Sequence, residues 1–245
     1  MKRTIFTLSC LFLISGPAAA MDQKQQPELT EVWEPEPAIV TPGERGAPPS
    51  DAIVLFDGHD LSAWRANAGE PGWVVEDGIV TVKPGSGNIE TRQPFGDVQL
   101  HIEWRTPGVV ESEGQGRGNS GVFLMGLYEV QVLDSFQNRT YSNGQAASIY
   151  KQHIPLVNAS RGPGEWQAYD IVFKAPLFSS EGFLQRPAFL TVFHNGVLVQ
   201  NHVELGGPTV YAGQPQYQPH SPKLPLMLQE HSNPTSFRNI WIREL

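Results

Sequence analysis

Cysteine is almost missing: Cys10 is the single one in 245 residues. It lies close to the N-terminus, so the rest of the chain has no thiol, which excludes disulfide staples, cysteine nucleophiles and thiolate metal sites together. Long apolar runs are missing too. The most apolar stretch, Ile5 to Ile14, is too short to cross a bilayer. Basic residues are scarce, with 17 Lys+Arg against 25 Asp+Glu, which makes nucleic acid and anionic membranes poor partners. No segment holds a 3.6-residue period for long. HExxH and histidine pairs at metal-ligand spacing are absent, so the spacing supports no dedicated zinc site.

What is present begins with Lys2 and Arg3 ahead of that apolar run, followed by Ala18-Ala19-Ala20. This is the pattern of a signal peptide over residues 1–20, with cleavage expected after Ala20 and a periplasmic or secreted destination. Cys10 sits inside the apolar run and is expected to carry no lipid, so no membrane anchor is implied. Residues 21–51 are rich in Pro, Glu and Gln, with Pro27, Pro35, Pro37, Pro42, Pro48 and Pro49 spread through them, and read as an arm or linker. Val32, Trp33, Ile39 and Val40 lead us to expect part of it to pack. The domain proper is expected over 52–245.

From Ile53 onward, short runs with period-two alternation are separated by Gly, Pro, Asn and Asp clusters, the signature of an all-β sandwich. Strands are expected at 73–75, 79–82, 98–105, 121–125, 128–133, 167–174, 188–194, 197–205, 225–230 and 239–243. That number suits a two-sheet jelly roll. Asp77-Gly78 and Asn195-Gly196 carry the type I′ hairpin signal. Trp73, Trp104, Trp166 and Trp241 are expected in the core, since a large sandwich uses Trp mainly as filler.

Alternation also sorts the polar side chains. In Val98 to Arg105 the apolar residues Val98, Leu100, Ile102 and Trp104 face one way, leaving Gln99, His101, Glu103 and Arg105 on the other face. That face could equally be a solvated one with a cross-strand ion pair. In Tyr128 to Asp134, inward Val130 and Val132 put Glu129 and Gln131 side by side on the opposite face, and Asp134 joins them only through a bulge. Carboxylates spaced by two along one strand are how jelly-roll glycosidases present an acid and a base, but Gln131 cannot titrate. Upstream, Gly116-Arg117-Gly118-Asn119-Ser120-Gly121 lets backbone approach a ligand closely, with no phosphate-loop pattern after it. His153 and His231 stand in two further polar segments. A divalent cation could be held by Glu103, Glu129 or Asp134, because oxygen ligands from separate strands leave no spacing to read.

Leu55-Phe56-Asp57-Gly58, Gly118-Asn119-Ser120-Gly121, Tyr128 to Asp134, Pro163-Gly164-Glu165-Trp166-Gln167, His194-Asn195-Gly196 and Phe237 to Trp241 together resemble the 3-keto-disaccharide hydrolase family, over essentially all of 52–245. The resemblance implies a concanavalin-like, LamG-like jelly roll. It also implies activity on glycosides already oxidised to a ketone at C3, and hence an upstream sugar 3-oxidoreductase as a partner. A C3 ketone acidifies the hydrogen on C2, so a modest base can remove it. The C1 oxygen then leaves by β-elimination, and water adds to the product. Carried onto this chain, Glu129 and Asp134 are the acid/base candidates with His231 as the alternative, while His101, Glu103, Asn119, Gln131 and Arg238 would contact substrate. The chain departs from the family pattern at Glu230, Ser232, Lys151 and His153, which makes Lys151 and His153 specificity candidates. Two other readings stay open: a conventional retaining glycosidase, which needs two carboxyls about 5 to 5.5 Å apart, and a non-catalytic carbohydrate-binding module.

Overall fold

The computed structural model describes residues 27–67 and 69–245. The expected signal peptide, its cleavage position and Cys10 lie outside the described residues. Residues 27–39 belong to a unit of their own, with a 3-10 turn at Pro27–Thr30 and Trp33 Nε1 donating to Glu31 Oε2 at 3.1 Å. Val32, Trp33 and Ile39 are exposed.

The second unit, Val40–Leu245, carries fifteen strands among the described residues. They are β1 Ile53–Phe56, β2 Trp64–Ala66, β3 Val74–Glu76, β4 Ile79–Thr81, β5 Ile89–Phe95, β6 Val98–Arg105, β7 Ser120–Leu124 and β8 Tyr128–Val132 in the first half. The second half holds β9 Gln167–Lys174, β10 Leu177–Phe178, β11 Leu184–Arg186, β12 Phe189–His194, β13 Val197–Glu204, β14 Leu224–Leu228 and β15 Ser236–Glu244. An eight-stranded sheet runs β13-β12-β9-β6-β15-β4-β3, with β1 also on β15, and a five-stranded sheet runs β2-β5-β14-β7-β8. The pairings within both are antiparallel.

The two sheets face each other across one core, as the expected jelly-roll sandwich. Tyr128 of the small sheet meets Phe173 of the large one at 5.5 Å between ring centres, and Tyr169 Oη reaches across to donate to the Gln131 carbonyl at 2.7 Å. Strand β6 alternates as its sequence dictates: Val98, Leu100, Ile102 and Trp104 are buried in the core. Each fully buried side chain of this size stabilises by about 1.5–3 kcal/mol.

Strands β1, β2, β5, β10 and β11 fell outside the expected set. The first two are only four and three residues long. Strand β5 contains Pro94, which argues against a strand by itself. Here it stands opposite Pro225, so neither residue withholds a donor the other could use, and the ladder shifts register just beyond.

Trp73 and Trp104 are in the core as expected; Trp241 is buried instead on the outer face of the large sheet, against His101, and Trp166 is not in the core either. It is half-buried, with the Arg238 guanidinium 4.1 Å and that of Arg105 4.7 Å from its ring centre. Residues 40–51 lie along the last strand: Gly46 O accepts from both Asn239 Nδ2 and Trp241 Nε1, and Arg243 pairs with Asp51 at 2.6 Å.

Both hairpin turns take positive φ at the two expected residues, 50° and 76° at Asp77-Gly78 and 53° and 79° at Asn195-Gly196. Asn195 does more than turn the chain. Its Oδ1 accepts from Ala168 N, and its Nδ2 donates to Ala159 O and to Gln167 Oε1. Asn195→Ala is therefore expected to cost about 2–3 kcal/mol, through lost hydrogen bonds and a strained left-handed backbone. Asn195→Gly, which keeps the backbone freedom, is expected to cost about 1 kcal/mol less. Urea unfolding of both variants checks this; equal losses would remove the backbone contribution.

Candidate active site

The hairpin β7–β8 builds the site. Because successive side chains alternate, Val122, Val130 and Val132 enter the core, while Gly121, Phe123, Glu129 and Gln131 stand on the face turned away from the large sheet. The next segment folds back along the free edge of β8. Ala147 N donates to Gln131 O, Gln131 N to Ser148 O, and Tyr150 N to Glu129 O, while Thr209 Oγ1 accepts from Glu129 N. Ala147 takes a φ of 64° to make this close return. Above the hairpin these segments enclose a cavity of about 520 Å³, lined by Gln115, Asn119, Phe123, Glu129, Gln131, Tyr141, Tyr150, Thr209, Tyr211, Gln229 and His231.

Glu129 is buried at its floor. Desolvation pushes its carboxyl up to about 8, so at neutral pH it holds a proton. Gly121 makes room for it, since a Cβ there would meet Glu129 Oε1 at 2.7 Å.

The neighbouring amides agree with a protonated Glu129. Gln115 Nε2 is engaged by Thr140 Oγ1 and Gly144 O, so Gln115 Oε1 needs a donor, and Gln131 Nε2 supplies it at 3.2 Å. The other end of the Gln131 amide then presents its oxygen 2.9 Å from Glu129 Oε1, where it accepts a proton from the acid. That arrangement leaves the same oxygen 3.2 Å from Ser120 O. If Glu129 ionises, turning the amide lets its nitrogen donate to both Glu129 and Ser120 O, at the loss of the Gln115 bond. Gln131 can therefore serve either protonation state of Glu129.

Across the cavity, Tyr141 and Tyr150 share a hydroxyl contact of 2.6 Å. Burial, and then this hydrogen bond, hold the Tyr150 phenol above its ordinary value. Gln229 Oε1 is buried without a partner. The cavity thus offers neutral donors and acceptors that the protein leaves open.

Of the residues singled out from sequence, the fold brings Glu129, Gln131, Asn119 and His231 to this one cavity. Lys151 reaches its rim, where its ammonium lies 4.1 Å from the Tyr211 ring centre and donates to Tyr211 O. His153 is elsewhere, its Nε2 in contact with Glu204 O at 2.7 Å.

Asp134 lines the adjacent cavity instead, held by Arg117 Nε at 2.7 Å and accepting from Phe136 N. The bulge that would have returned it to the Glu129 face does not form, because β8 ends at Val132. His101, Glu103 and Arg238 sit on the outer face of the large sheet. His101 Nδ1 meets Asp170 at 2.7 Å with its ring stacked on Trp241, and Glu103 takes Arg238 at 2.6 Å and Asn239 at 2.9 Å. Burial is the largest single influence on Glu103, but those hydrogen bonds and the Arg238 charge together outweigh it and hold the carboxyl below its usual value. The cross-strand ion pair is the role this face takes. Glu103, Glu129 and Asp134 line three different cavities, and no group of three or more metal-ligating side chains gathers among the described residues.

Sequence reasoning did not single out Gln115, Tyr141, Tyr150, Tyr211 or Gln229. They come from loops, where no periodicity marks the facing direction. Tyr150 and Gln229 alone carried a signal, standing in the same polar segments as Lys151 and His231.

A family model described as the 3-keto-alpha-glucoside-1,2-lyase-like domain matches residues 51–243. The crystal structure of a candidate glycosyl hydrolase from Parabacteroides distasonis ATCC 8503 is 52% identical, covers 90% of this chain and 97% of its own, and superposes with a TM-score of 0.86. A second candidate glycosyl hydrolase from that organism shares the fold at 20% identity and a TM-score of 0.59, covering 80% of this chain and 94% of its own. A third does so at 21% identity and 0.52, covering 79% and 99%. No curated protein matches the chain.

The raised Glu129 value has a consequence for stability. The folded protein keeps a proton that the unfolded chain releases above its ordinary value of 4.5, so this contribution is fully present below that pH and is lost as pH rises toward about 8. Relative to Glu129→Gln, wild-type stability is expected to fall by on the order of 1 kcal/mol per pH unit across that window. Denaturant unfolding of both proteins at pH 5, 6.5 and 8 measures it; parallel profiles would mean that Glu129 is not buried as a neutral acid.

Proposed function

Because the chain belongs to the 3-keto-alpha-glucoside-1,2-lyase-like family, we propose that this carbohydrate-active, glycosyl-hydrolase-like protein cleaves glycosides whose sugar already carries a ketone at C3, by β-elimination and then hydration. The observation that carries the reading is Glu129, a buried acid still protonated at neutral pH in a cavity that also holds neutral polar groups, among them the unpartnered Gln229 Oε1.

In the elimination step, the His231 imidazole takes the C2 proton, the C2–H electrons form the C1–C2 double bond, and the C1–O bond breaks. Glu129 gives its proton to the departing oxygen. The products are an alcohol and an unsaturated 3-keto sugar. In the hydration step, the Glu129 carboxylate takes a proton from water as its oxygen adds to C1, and the imidazolium returns a proton to C2. Both residues end as they began. Tyr150 and the side-chain amides of the cavity are suited to donate to the C3 oxygen while charge gathers there. Gln131, able to face either form of Glu129, fits an acid that becomes a base.

A conventional retaining mechanism has less support. Among the described residues that line the cavity, Glu129 is the single carboxylate, and that mechanism needs a second one nearby.

We place the reaction outside the cytoplasm, on the strength of the N-terminal leader pattern. An oxidoreductase acting at C3 of the sugar must act first to supply the ketone. No helix among the described residues is long and apolar enough to cross a membrane.

The test is to incubate protein with a 3-keto-glucoside and with its parent glucoside, and to follow alcohol release. Release from the keto sugar alone is expected, and Glu129→Gln is expected to slow it by about 10²–10⁴-fold. Since the acid must be protonated, kcat/KM should decline as pH rises through about 8, and the variant should lose that limb. Release from the parent glucoside would overturn the elimination reading in favour of an ordinary glycosidase. Saturable binding with no release from either would favour a binding module.

A further inference from the structure

Tyr211 is 80% exposed although it lines the cavity above Glu129. An exposed ring on a loop is ordinarily free to turn, but this one is held. The Lys151 ammonium lies over its face, 4.1 Å from the ring centre, and donates to the Tyr211 carbonyl. The residue after Lys151 ties down the same loop: Gln152 Oε1 accepts from Gly206 N at 2.9 Å, and Gln152 Nε2 donates to Gly207 O at 3.0 Å. Thr209 N donates to Leu127 O at 2.8 Å. With one face under the cation and most of the residue in solvent, the other face of the ring is open.

Strand order gives the direction in which a substrate would meet that face. Strands β14, β7 and β8 lie side by side. The chain leaving β14 continues along β7, with Gln229 N donating to Gly121 O, so His231 approaches Glu129 from that side. Tyr150 and Thr209 bond the Glu129 backbone from the free edge of β8, and Tyr211 follows shortly after Thr209. Glu129 therefore stands between His231 and the tyrosines. In the reaction proposed above, His231 works at C2 and Glu129 at the oxygen on C1, so the keto sugar spans those two residues. The leaving group, on the far side of that oxygen, is then directed toward the tyrosines within the same cavity.

A pyranose suits such a place, since its C–H groups form an apolar face for the ring while its edge hydroxyls need partners. Tyr141 and Tyr150 share a single hydroxyl contact, which leaves the pair a proton to donate, and Lys151 has donors beyond the one given to Tyr211 O. A methyl group would use neither the face nor the donors. We propose that Tyr211 is the platform on which the leaving group stacks and that Lys151 is the positioning residue that holds its ring, so that the pair selects a pyranose leaving group over a small alcohol. The proposal rests on the roles given above to His231 and Glu129.

Equilibrium binding of unoxidised glucosides tests it, because the proposed reaction does not consume them. Methyl glucoside and a glucosyl-glucose disaccharide, each in both anomers, are titrated calorimetrically. The disaccharide is expected to bind about tenfold more tightly in at least one anomer. Tyr211→Ala should bring that ratio to about one, and Tyr211→Phe, which keeps the ring, should preserve it. Lys151→Met should lower the ratio about threefold, and Lys151→Arg should restore it by returning a cation to the ring. A loss of structure alone would weaken both ligands alike and leave the ratio in place. Both side chains are exposed, so the fold should tolerate these changes. Equal affinity for the two ligands in both anomers, no binding of either, a ratio that survives Tyr211→Ala, or a ratio unchanged in Lys151→Met would each overturn the proposal. If keto sugars are cleaved while the ratio ignores Tyr211, the reaction stands and the platform fails. If cleavage is never seen while a Tyr211-dependent ratio persists, the reaction fails and the platform stands.

Discussion

Burying a carboxyl with no Lys or Arg among the residues lining its cavity is the constraint on which the site depends. A charged Glu129 would lose hydration without a cation to replace it, so the group stays neutral and its affinity for a proton rises to about 8. The surroundings are built around that neutral form. Gly121 leaves space where a methyl group would collide, and Gln131 has an amide that can accept from the acid or donate to its conjugate base. The backbone that holds Glu129 is fixed on both edges, by β7 on one side and by Ser148, Tyr150 and Thr209 on the other. The carboxyl is therefore held in place by backbone bonds that do not depend on its charge.

The outer face of the large sheet follows the opposite rule. There the charges are paired: Glu103 with Arg238, His101 with Asp170, Asp51 with Arg243. Arg105 and Arg238 lie against Trp166, and Glu103 is held ionised by its neighbours. Side chains so engaged hold β6, β9 and β15 together and tie residues 40–51 to the last strand. They have little left to offer a sugar.

Much of this was legible in the sequence, wherever a regular strand fixes the direction of a side chain. The period of two in Val98 to Arg105 and in Tyr128 to Val132 assigned core and outer faces correctly, and it set Glu129 beside Gln131. The Asp-Gly and Asn-Gly turns were legible because only certain residues accept positive φ at both central positions. Trp166 was misjudged because a large aromatic ring can be covered by two guanidinium groups as well as by a core, and composition does not distinguish them. Asp134 was grouped with Glu129 on the expectation of a bulge, and the end of β8 at Val132 separates them.

The sequence by itself therefore determined the all-β class, most strands, the face of each regular strand and the membership of the family. Each follows from local geometry or from ordered motifs. Only the tertiary structure decided which sheet each polar face belongs to. It set Glu103 and Glu129 in different sheets, although each is turned away from the core by the same alternation. It also brought Gln115, Tyr141, Tyr150, Tyr211, Gln229 and His231 from distant loops onto one carboxyl. Loops have no period, so the direction of their side chains is set by what they pack against. The protonation of Glu129 is likewise a property of the assembled cavity, because desolvation exists only once the surrounding chain has closed over it.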